Sequence, residues 1–248
     1  MFSTTTKSRA LASLCAVTLA ACGGGGDDCG YGNCGPVNPP APPTPVASTD
    51  TFPVSQALLN IATQTYSYNV SAYDIYGNQF TLQYSSAPGT AGTFNGQAAS
   101  TANVTESLFE NGALLQTDTY VNYYVLAPYQ FLASVGDFPG GVEVVNSSQT
   151  LPATGTVGQS FPELSATLYH DTTQTVSDGT LSETIGLNAD TASTALFCFN
   201  DTVQLTQTGM SDNLISGATS NCFRIDTSGN VQGMQITTPI NGVSMLFF

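Results

Sequence analysis

Short segments in which apolar and polar residues alternate recur along the chain after Tyr66, and turn-forming residues separate them. In "YSYNVSA", Tyr66, Tyr68 and Val70 alternate with polar residues, which is the two-residue period of a strand with one buried face. The stretches "DIYGN", "FENGALL", "SDGTL", "DTSGN" and "PINGV" supply the turns. Connections this short join antiparallel neighbours, because parallel strands need long crossovers. The pattern therefore predicts an antiparallel meander.

We predict eleven strands, at about residues 65–73, 79–85, 100–109, 114–125, 142–146, 164–170, 180–189, 194–199, 221–226, 231–238 and 243–248. A sheet with this many twisted strands tends to curl or close, since closure removes exposed edges. The predicted fold class is all-β, with the meander forming a curled sheet or barrel; a two-sheet sandwich is the alternative. One short N-terminal helix is predicted in "SQALLNIAT", because Leu58 and Ile61 have helical spacing behind a Ser55 cap.

The N-terminus has the layout of a secretory signal: Lys7 and Arg9 come first, followed by an apolar segment and small residues. The apolar segment is too short to span a bilayer. "LAAC", ending at Cys22, resembles the lipobox of bacterial lipoproteins, which implies a signal peptide at 1–21 and acyl chains such as palmitate on Cys22. No Asp follows Cys22 directly, which by the same resemblance favours the outer membrane, facing the periplasm or the cell surface.

Residues 22–49 lack hydrophobic periodicity, carry four glycines after Cys22 and end in "PVNPPAPPTPVAS". Glycine runs are flexible, and proline runs favour extended polyproline conformations. We predict a Gly/Pro-rich tether that connects the lipid to an antiparallel β domain at 50–248. Cys29 and Cys34 lie close together within the tether, and in an exported protein they are expected to form a local disulfide bond.

The chain is strongly acidic, with 17 Asp and Glu residues, all after Cys22, and 3 Lys and Arg residues. Cleavage before Cys22 removes Lys7 and Arg9 and leaves Arg224 as the single Lys or Arg, a formal balance of −16. Nucleic acid is therefore excluded as a partner, because phosphate binding requires clustered cations. The same shortage argues against direct attraction to anionic headgroups, so the membrane is expected as a partner only through the N-terminal lipid.

Four further stretches carry a resemblance over most of the chain after Cys22: "TFNGQAASTANVTESL", "LPATGTVGQS", "LNADTASTALFCFN" and "NCFRIDTSGNVQGMQI". Together with the lipobox and its glycine run, they resemble an uncharacterised family of betaproteobacterial lipoproteins. The resemblance implies a mostly β extracytoplasmic domain. It implies no catalytic or ligand-binding residues.

Cys198 in "ALFCFN" and Cys222 in "NCFRID" fall in two predicted strands that a polar loop joins, so we predict a disulfide bond between them. Arg224 follows two residues later and lies on the same face as Cys222 and Asp226, opposite Phe223 and Ile225. We expect its guanidinium to contact carboxylates and stabilise the sheet. The alternative is a ligand-binding role, in which Arg224 anchors an anion.

The candidate catalytic and metal-binding residues are few. His170 lies in "LYHDT", but no GxSxG motif accompanies it, and we interpret it as a surface histidine at the end of a strand. Glu106 and Glu110 could serve glycoside chemistry, yet they bracket a turn, where acidic residues usually face water. With one histidine and no CxxC pair, neither a metal site nor a cofactor is expected.

Tyr120 and Tyr124 lie on one face of a predicted strand in "TDTYVNYYVLAPYQF", and Tyr123 lies on the other face. Core and cross-strand packing is one interpretation. The other is an aromatic platform on the concave side of a curled sheet, where Tyr120 and Tyr124 would bind a glycan or an apolar ligand.

The sequence thus predicts a lipid-anchored outer-membrane lipoprotein with a non-catalytic structural or interaction role. The alternative is an open β-barrel binding module for an acyl chain or a glycan. An enzyme is not expected, and the expected partners beyond the membrane are an envelope protein, a glycan or a lipid. A transmembrane barrel is disfavoured, because Gly242 and Ser244 occupy positions where such a barrel needs apolar residues.

Overall fold

The structure is a computed structural model that describes residues 44–136, 140–212, 214–240 and 242–248. Within these ranges the elements follow one another as β1 (Thr51–Phe52), α1 (Val54–Thr63), β2 (Tyr66–Tyr73), β3 (Gln79–Pro88), β4 (Gly92–Phe94), β5 (Gln97–Glu110), β6 (Ala113–Leu126), β7 (Tyr129–Gly136), β8 (Val142–Ser148), β9 (Gly155–Thr156), β10 (Ser160–Tyr169), β11 (Ser177–Ala189), β12 (Thr194–Leu205), α2 (Gln207–Ser211), β13 (Gly217–Asp226), β14 (Val231–Ile240) and β15 (Val243–Phe247). The predicted all-β fold class is confirmed.

One antiparallel sheet makes up most of the molecule, in the order β15-β14-β13-β12-β11-β10-β8-β7-β6-β5-β3-β2. The short β4 pairs with β5, and β1 pairs with β9 in a separate two-stranded sheet. The two ends of the long sheet meet, because the backbone N–H groups of Ser71 and Phe248 each donate to the other residue's carbonyl oxygen, at 3.3 and 3.2 Å. The sheet is therefore a nearly closed barrel, and the sandwich alternative is wrong.

The core fills the inside of the barrel. Inward-facing positions on successive strands carry buried apolar side chains, such as Leu82, Phe197 and Phe223, whereas polar residues predominate on the outer face of β2, β3 and β5. Among the described residues, no helix is both long and apolar enough to cross a membrane.

Helix α1 packs against the core, with Val54, Ala57, Leu58 and Ile61 all buried. Asn60 is also buried, and its side-chain Nδ2 donates to the carbonyl oxygen of Gly229 at 2.8 Å. The helix thus contacts the barrel through both apolar packing and a buried hydrogen bond.

The predicted helix is present, but its predicted cap is wrong. Pro53 is the N-cap residue and makes no side-chain capping bond. The Ser55 hydroxyl instead donates to the carbonyl oxygen of Pro152 at 2.9 Å. Proline suits the start of a helix because its fixed φ resembles the helical value. It lacks a backbone N–H group, but an N–H group at this position would have no hydrogen-bond partner within the helix.

Each of the eleven predicted strands corresponds to an observed strand, and most observed strands are longer. The prediction omitted β7, because Phe131, Leu132 and Ala133 are buried in succession and give no alternation. It also omitted the short elements β1, β4, β9 and α2, which have too few residues to show a period.

The chain joins the barrel slightly before the predicted domain boundary. The Val46 N–H donates to the Asp190 carbonyl oxygen at 2.9 Å, and the Ser48 hydroxyl donates to that of Ala192 at 2.8 Å. Both acceptors lie between β11 and β12. We call this end of the barrel the entry end. Because neighbouring strands run in opposite directions, it also carries α1 and the β6–β7, β11–β12 and β13–β14 turns. The opposite end, which we call the distal end, carries α2 and the β10–β11 turn.

Candidate functional site

A cleft of about 290 Å³ lies at the entry end of the barrel, beside α1. Its walls come from α1, from the β6–β7 turn with the start of β7, from the segment that follows β8, and from the start of β10. Four separate parts of the chain therefore meet here. Concave sites of this kind are where small ligands usually bind.

Most of the cleft wall is apolar. Leu58 and Leu59 contribute from the helix, Leu126 and Phe131 from β6 and β7, and Leu151 from the segment after β8. Leu126 is 38 % exposed, so apolar surface remains open to solvent at this position. An apolar group entering the cleft would remove this surface from water, which is favourable.

Glu163 is the acidic residue of the cleft and belongs to β10. A register shift between Pro162 and Leu164 places Glu163 in a β-bulge, where it has no cross-strand partner on β11. Because a bulge re-aims side chains, Glu163 and Leu164 are both buried although they are consecutive. Glu163 is 3 % exposed, and its Oε2 has no hydrogen-bond partner among the described residues.

Tyr129, at the start of β7, also lines the cleft, as do the polar residues Ser55, Gln130, Ser148, Gln149 and Thr150. Its ring stacks on Tyr124 with centroids 6.2 Å apart, and its hydroxyl is buried without a hydrogen-bond partner in the described part of the chain. Burial, together with the nearby carboxyl groups of Glu163 and Glu183, raises the pKa of Tyr129 well above its ordinary value. The hydroxyl therefore stays protonated and can donate.

Two further carboxyl groups lie behind Glu163 in the barrel interior. Glu183 on β11 and Asp201 on β12 are directly opposite each other in the sheet register, and both are buried. The charges of Asp201 and Glu163 both act on the Glu183 carboxyl group. Neither Asp201 carboxyl oxygen has a hydrogen-bond partner among the described residues. We call Glu163, Glu183 and Asp201 the carboxyl cluster.

Burial is the main reason why the carboxyl cluster holds protons near neutral pH. It raises the pKa of Glu163 to about 7 and that of Asp201 to about 8, partly offset in each case by the neighbouring Glu183 carboxyl group. Burial and the charges of Asp201 and Glu163 raise the pKa of Glu183 well above its ordinary value. Near neutral pH the cluster can both donate and accept hydrogen bonds.

Sequence reasoning missed the cleft and the carboxyl cluster, although part of the signal was present. Leu181, Glu183 and Ile185 alternate on one strand face, and so do Phe199 and Asp201, which puts both acidic residues on an apolar face. Glu163 gave no such signal, because the bulge breaks the alternation. Tyr129 lies in β7, which was not predicted.

The interpretation of Glu106 and Glu110 is half wrong. Glu106 does not face water: it is buried inside the barrel, and its Oε1 accepts a hydrogen bond from the Tyr120 hydroxyl at 2.6 Å. The fourteen-residue β5 extends the inward alternation through Val104, Glu106 and Leu108. Glu110, the last residue of β5, is half-exposed as expected for a turn.

Tyr120 and Tyr124 do share a strand face, but the aromatic platform is wrong. Tyr120 is 6 % and Tyr124 2 % exposed, and both belong to hydrophobic clusters. The Tyr124 hydroxyl donates to the carbonyl oxygen of Ala62 at 2.5 Å, which connects β6 to α1. Nearly complete burial leaves neither ring face open to a glycan.

Cys198 and Cys222 form the predicted disulfide bond, and the two residues are opposite each other in the β12–β13 register. Their side chains lie on the outer face of the barrel, together with Leu196. The bond therefore fastens two strands that are already neighbours.

Arg224 contacts a carboxylate, as its position predicted. Its Nε and Nη2 donate to the two oxygens of Asp190 at 2.6 and 2.9 Å, a bidentate pair. Burial alone would raise the pKa of Asp190, but hydrogen bonds from Arg224 and Thr194 and the charge of Arg224 hold it below its ordinary value. The pair fixes the segment after β11 against β13.

His170 lies in an acidic environment at the distal end that sequence reasoning did not foresee. Its Nδ1 is 3.0 Å from Oδ2 of Asp212 and 3.7 Å from Oδ2 of Asp178, which is fully buried. Among the described residues, these three form the group that could hold a metal ion, with ligand atoms within 4.8 Å of one another. A hydrogen bond between His170 and Asp212 accounts for the shorter contact without an ion.

Three of the predicted site residues lie outside the described residues: the lipidation site Cys22 and the proposed tether disulfide between Cys29 and Cys34. Comparisons of the chain with protein-family models, with curated proteins and with solved structures found no match.

Proposed function

We propose that this chain is a lipid-anchored, non-catalytic binding module of the bacterial outer membrane, and that its cleft holds a small ligand with an apolar body. The observation that carries the proposal is the cleft beside α1, with its mostly apolar wall and its buried polar atoms on Glu163 and Tyr129. A few convergent polar groups in an apolar cavity are typical of small-molecule sites.

The cleft favours an acyl-type ligand over a glycan. Glycan binding relies on exposed aromatic faces and many polar groups, whereas Leu58, Leu59 and Leu126 give this wall an apolar character. The packed core occupies the barrel interior, so the ligand enters the cleft at the entry end rather than the lumen. With about 290 Å³ available, the site suits a short chain or a single ring.

The lipid anchor and the cleft belong to the same end of the molecule in this proposal. The lipobox at Cys22 supports acylation, and residues 46–48 join the barrel at the entry end. A tether leading from Cys22 to Val46 would attach the barrel by the end that carries the cleft. The ligand would then be taken from, or passed to, the membrane surface.

A tryptophan reporter tests ligand binding directly, because the chain contains no tryptophan. Leu126→Trp places an indole at the cleft, and Val243→Trp places one on an exposed site at the distal end. The full acylated chain is held in phosphatidylcholine nanodiscs and titrated with hexan-1-ol. We expect a saturable blue shift for Leu126→Trp and no saturable change for Val243→Trp. Identical responses from the two variants would refute the proposed site.

A further inference from the structure

We propose that the cleft selects a ligand whose apolar body carries a primary ammonium group, and that Glu163 binds this group. The inference rests on the proposed binding function and names the ligand class for the same cleft. It follows from three features of the described residues: two buried polar atoms without partners on residues that line the cleft, a carboxyl cluster behind them, and the distance of the described arginine from that cluster.

The first feature is a pair of buried polar atoms on two residues that line the cleft. Oε2 of Glu163 and the hydroxyl of Tyr129 are buried, and neither has a hydrogen-bond partner among the described residues. An unpaired buried polar atom costs free energy, which a ligand with matching groups recovers. An ammonium group has three donors, so it can bind Glu163 and Tyr129 together.

The second feature is the sign of the charge behind the cleft. Glu163, Glu183 and Asp201 bring three acidic groups together in the barrel interior. When any of them is ionised, the potential in the cleft is negative, and a low local dielectric strengthens its effect on a charged ligand. A cation is attracted and an anion is repelled.

The third feature is the position of the single Lys or Arg side chain in the described part of the chain. Arg224 lies on the outer face of β13 and makes its bidentate pair with Asp190. It therefore does not supply the positive charge that the carboxyl cluster would attract. Within the described residues, no Lys or Arg side chain therefore lies beside the carboxyl cluster.

The geometry distinguishes an ammonium ion from a metal ion. A hard metal ion needs several oxygen ligands converging on one point. Glu163, Glu183 and Asp201 do not form a group of ligand atoms within 4.8 Å of one another, whereas His170, Asp178 and Asp212 do. The cleft instead combines one buried carboxyl group in its lining with a mostly apolar wall, which fits a cation that carries a hydrocarbon body.

Three probes of equal chain length test the ligand class with Glu163 and Tyr129 unchanged: hexylamine, hexan-1-ol and hexanoate. The Leu126→Trp chain in phosphatidylcholine nanodiscs is titrated at about pH 8, where the amine is an ammonium ion. Burial raises the pKa of Glu163 to about 7, so this pH lies above that pKa and most of the carboxyl group is ionised. We expect hexylamine to bind about tenfold more tightly than hexan-1-ol, since a charged hydrogen bond exceeds a neutral one by about that factor. Hexanoate should bind most weakly.

Glu163→Gln tests the assigned residue. In this variant we expect the preference for hexylamine to fall to within about twofold of hexan-1-ol. Glu110→Gln is the matched control, because it removes the same charge from the half-exposed distal end of β5 and should keep the preference.

The outcomes separate this inference from the proposed function. Equal binding of hexylamine and hexan-1-ol would overturn the ammonium assignment and leave the cleft as a binding site for apolar groups. Absence of binding by all three probes would overturn the proposed function as well. Because the probe series needs no change at Glu163, the inference stays testable even if Glu163→Gln does not fold.

Discussion

Arg224 illustrates how one surface residue connects separate parts of this barrel. Its bidentate pair with Asp190 satisfies a carboxylate whose side chain is only 8 % exposed, although the arginine side chain itself is 41 % exposed. We expect Arg224→Gln to destabilise the fold by about 1–2 kcal/mol, the loss of a partly screened charged hydrogen bond. Thermal unfolding should show a decrease of a few degrees.

Arg224→Lys is the control for this prediction, because it keeps the charge and loses the bidentate geometry. Its unfolding temperature should lie between those of the wild type and Arg224→Gln. Unchanged stability of Arg224→Gln, combined with loss of a bound anion, would instead support the ligand-binding role considered from the sequence.

The buried carboxyl groups predict how stability depends on pH. Burial raises the pKa of Glu106 from 4.5 to about 7, an effect that the Tyr120 hydrogen bond only partly opposes. Since the folded-state pKa exceeds the unfolded one, this stabilisation is fully present below about pH 4.5 and is lost as the pH rises through about 7. One such group accounts for about 3 kcal/mol across that window.

Urea unfolding should therefore have a midpoint at a higher urea concentration at about pH 5 than at about pH 8. Glu163 and Asp201 add to this trend, because burial raises their pKa values to about 7 and about 8. Glu106→Gln should make the dependence shallower, and Glu110→Gln, on the same strand, should not. A midpoint that rises with pH across this range would contradict the buried, protonated state of these groups.

The candidate site was harder to predict than individual pairings. The disulfide bond follows from alternation, because residues two apart on a strand share a face. Alternation also predicted a carboxylate partner for Arg224, but it did not identify Asp190, which lies in the turn after β11. The cleft depends on Glu163, whose orientation a β-bulge sets, and on Tyr129, which follows a turn. Neither bulges nor the contacts between distant strands leave a period in the sequence, so residue-by-residue reasoning could not find them.

At the scale of elements, α1 forms both part of the core and one wall of the cleft. Ile61 is 1 % exposed within the main hydrophobic cluster, whereas Leu59 is half-buried and lines the cleft. We expect Ile61→Ala to cost about 2–5 kcal/mol, because it leaves a cavity in a packed core. Leu59→Ala should cost clearly less in denaturant unfolding, since the cleft side is not closely packed.

Equal losses for these two variants would show that α1 is packed equally on both sides, in conflict with an open cleft. The comparison is well matched, because the residues are two positions apart on one helix and both substitutions remove branched aliphatic side chains.

The strands were predictable to the extent that each has one buried and one exposed face. Eleven predicted strands are present because "YSYNVSA" and similar segments alternate in this way. Strand β7 is buried over consecutive residues and escaped prediction. Closure of the barrel depends on the pairing of Ser71 with Phe248, residues far apart in sequence, so the choice between a barrel and a sandwich needed the structure.

At the scale of the whole molecule, the proposal places a binding barrel on a lipid anchor. Cys22→Ala should abolish palmitate labelling and leave the protein unprocessed, because the lipobox cysteine is both the acylated residue and the expected cleavage point. Metabolic labelling with a palmitate analogue, followed by gel migration, measures both effects. Labelling that persists in Cys22→Ala would rule out Cys22 as the anchor.

The most direct test of the binding function is to isolate the ligand from its native envelope. The acylated wild-type chain, a cleft-filling Leu59→Trp variant and the distal control Val243→Trp are purified in parallel, and their small-molecule extracts are compared by mass spectrometry. We expect an amphipathic compound to accompany the wild type and Val243→Trp in near-stoichiometric amount and to be lost from Leu59→Trp. The same compounds in all three extracts, or none in any, would contradict the assignment of the cleft as the binding site.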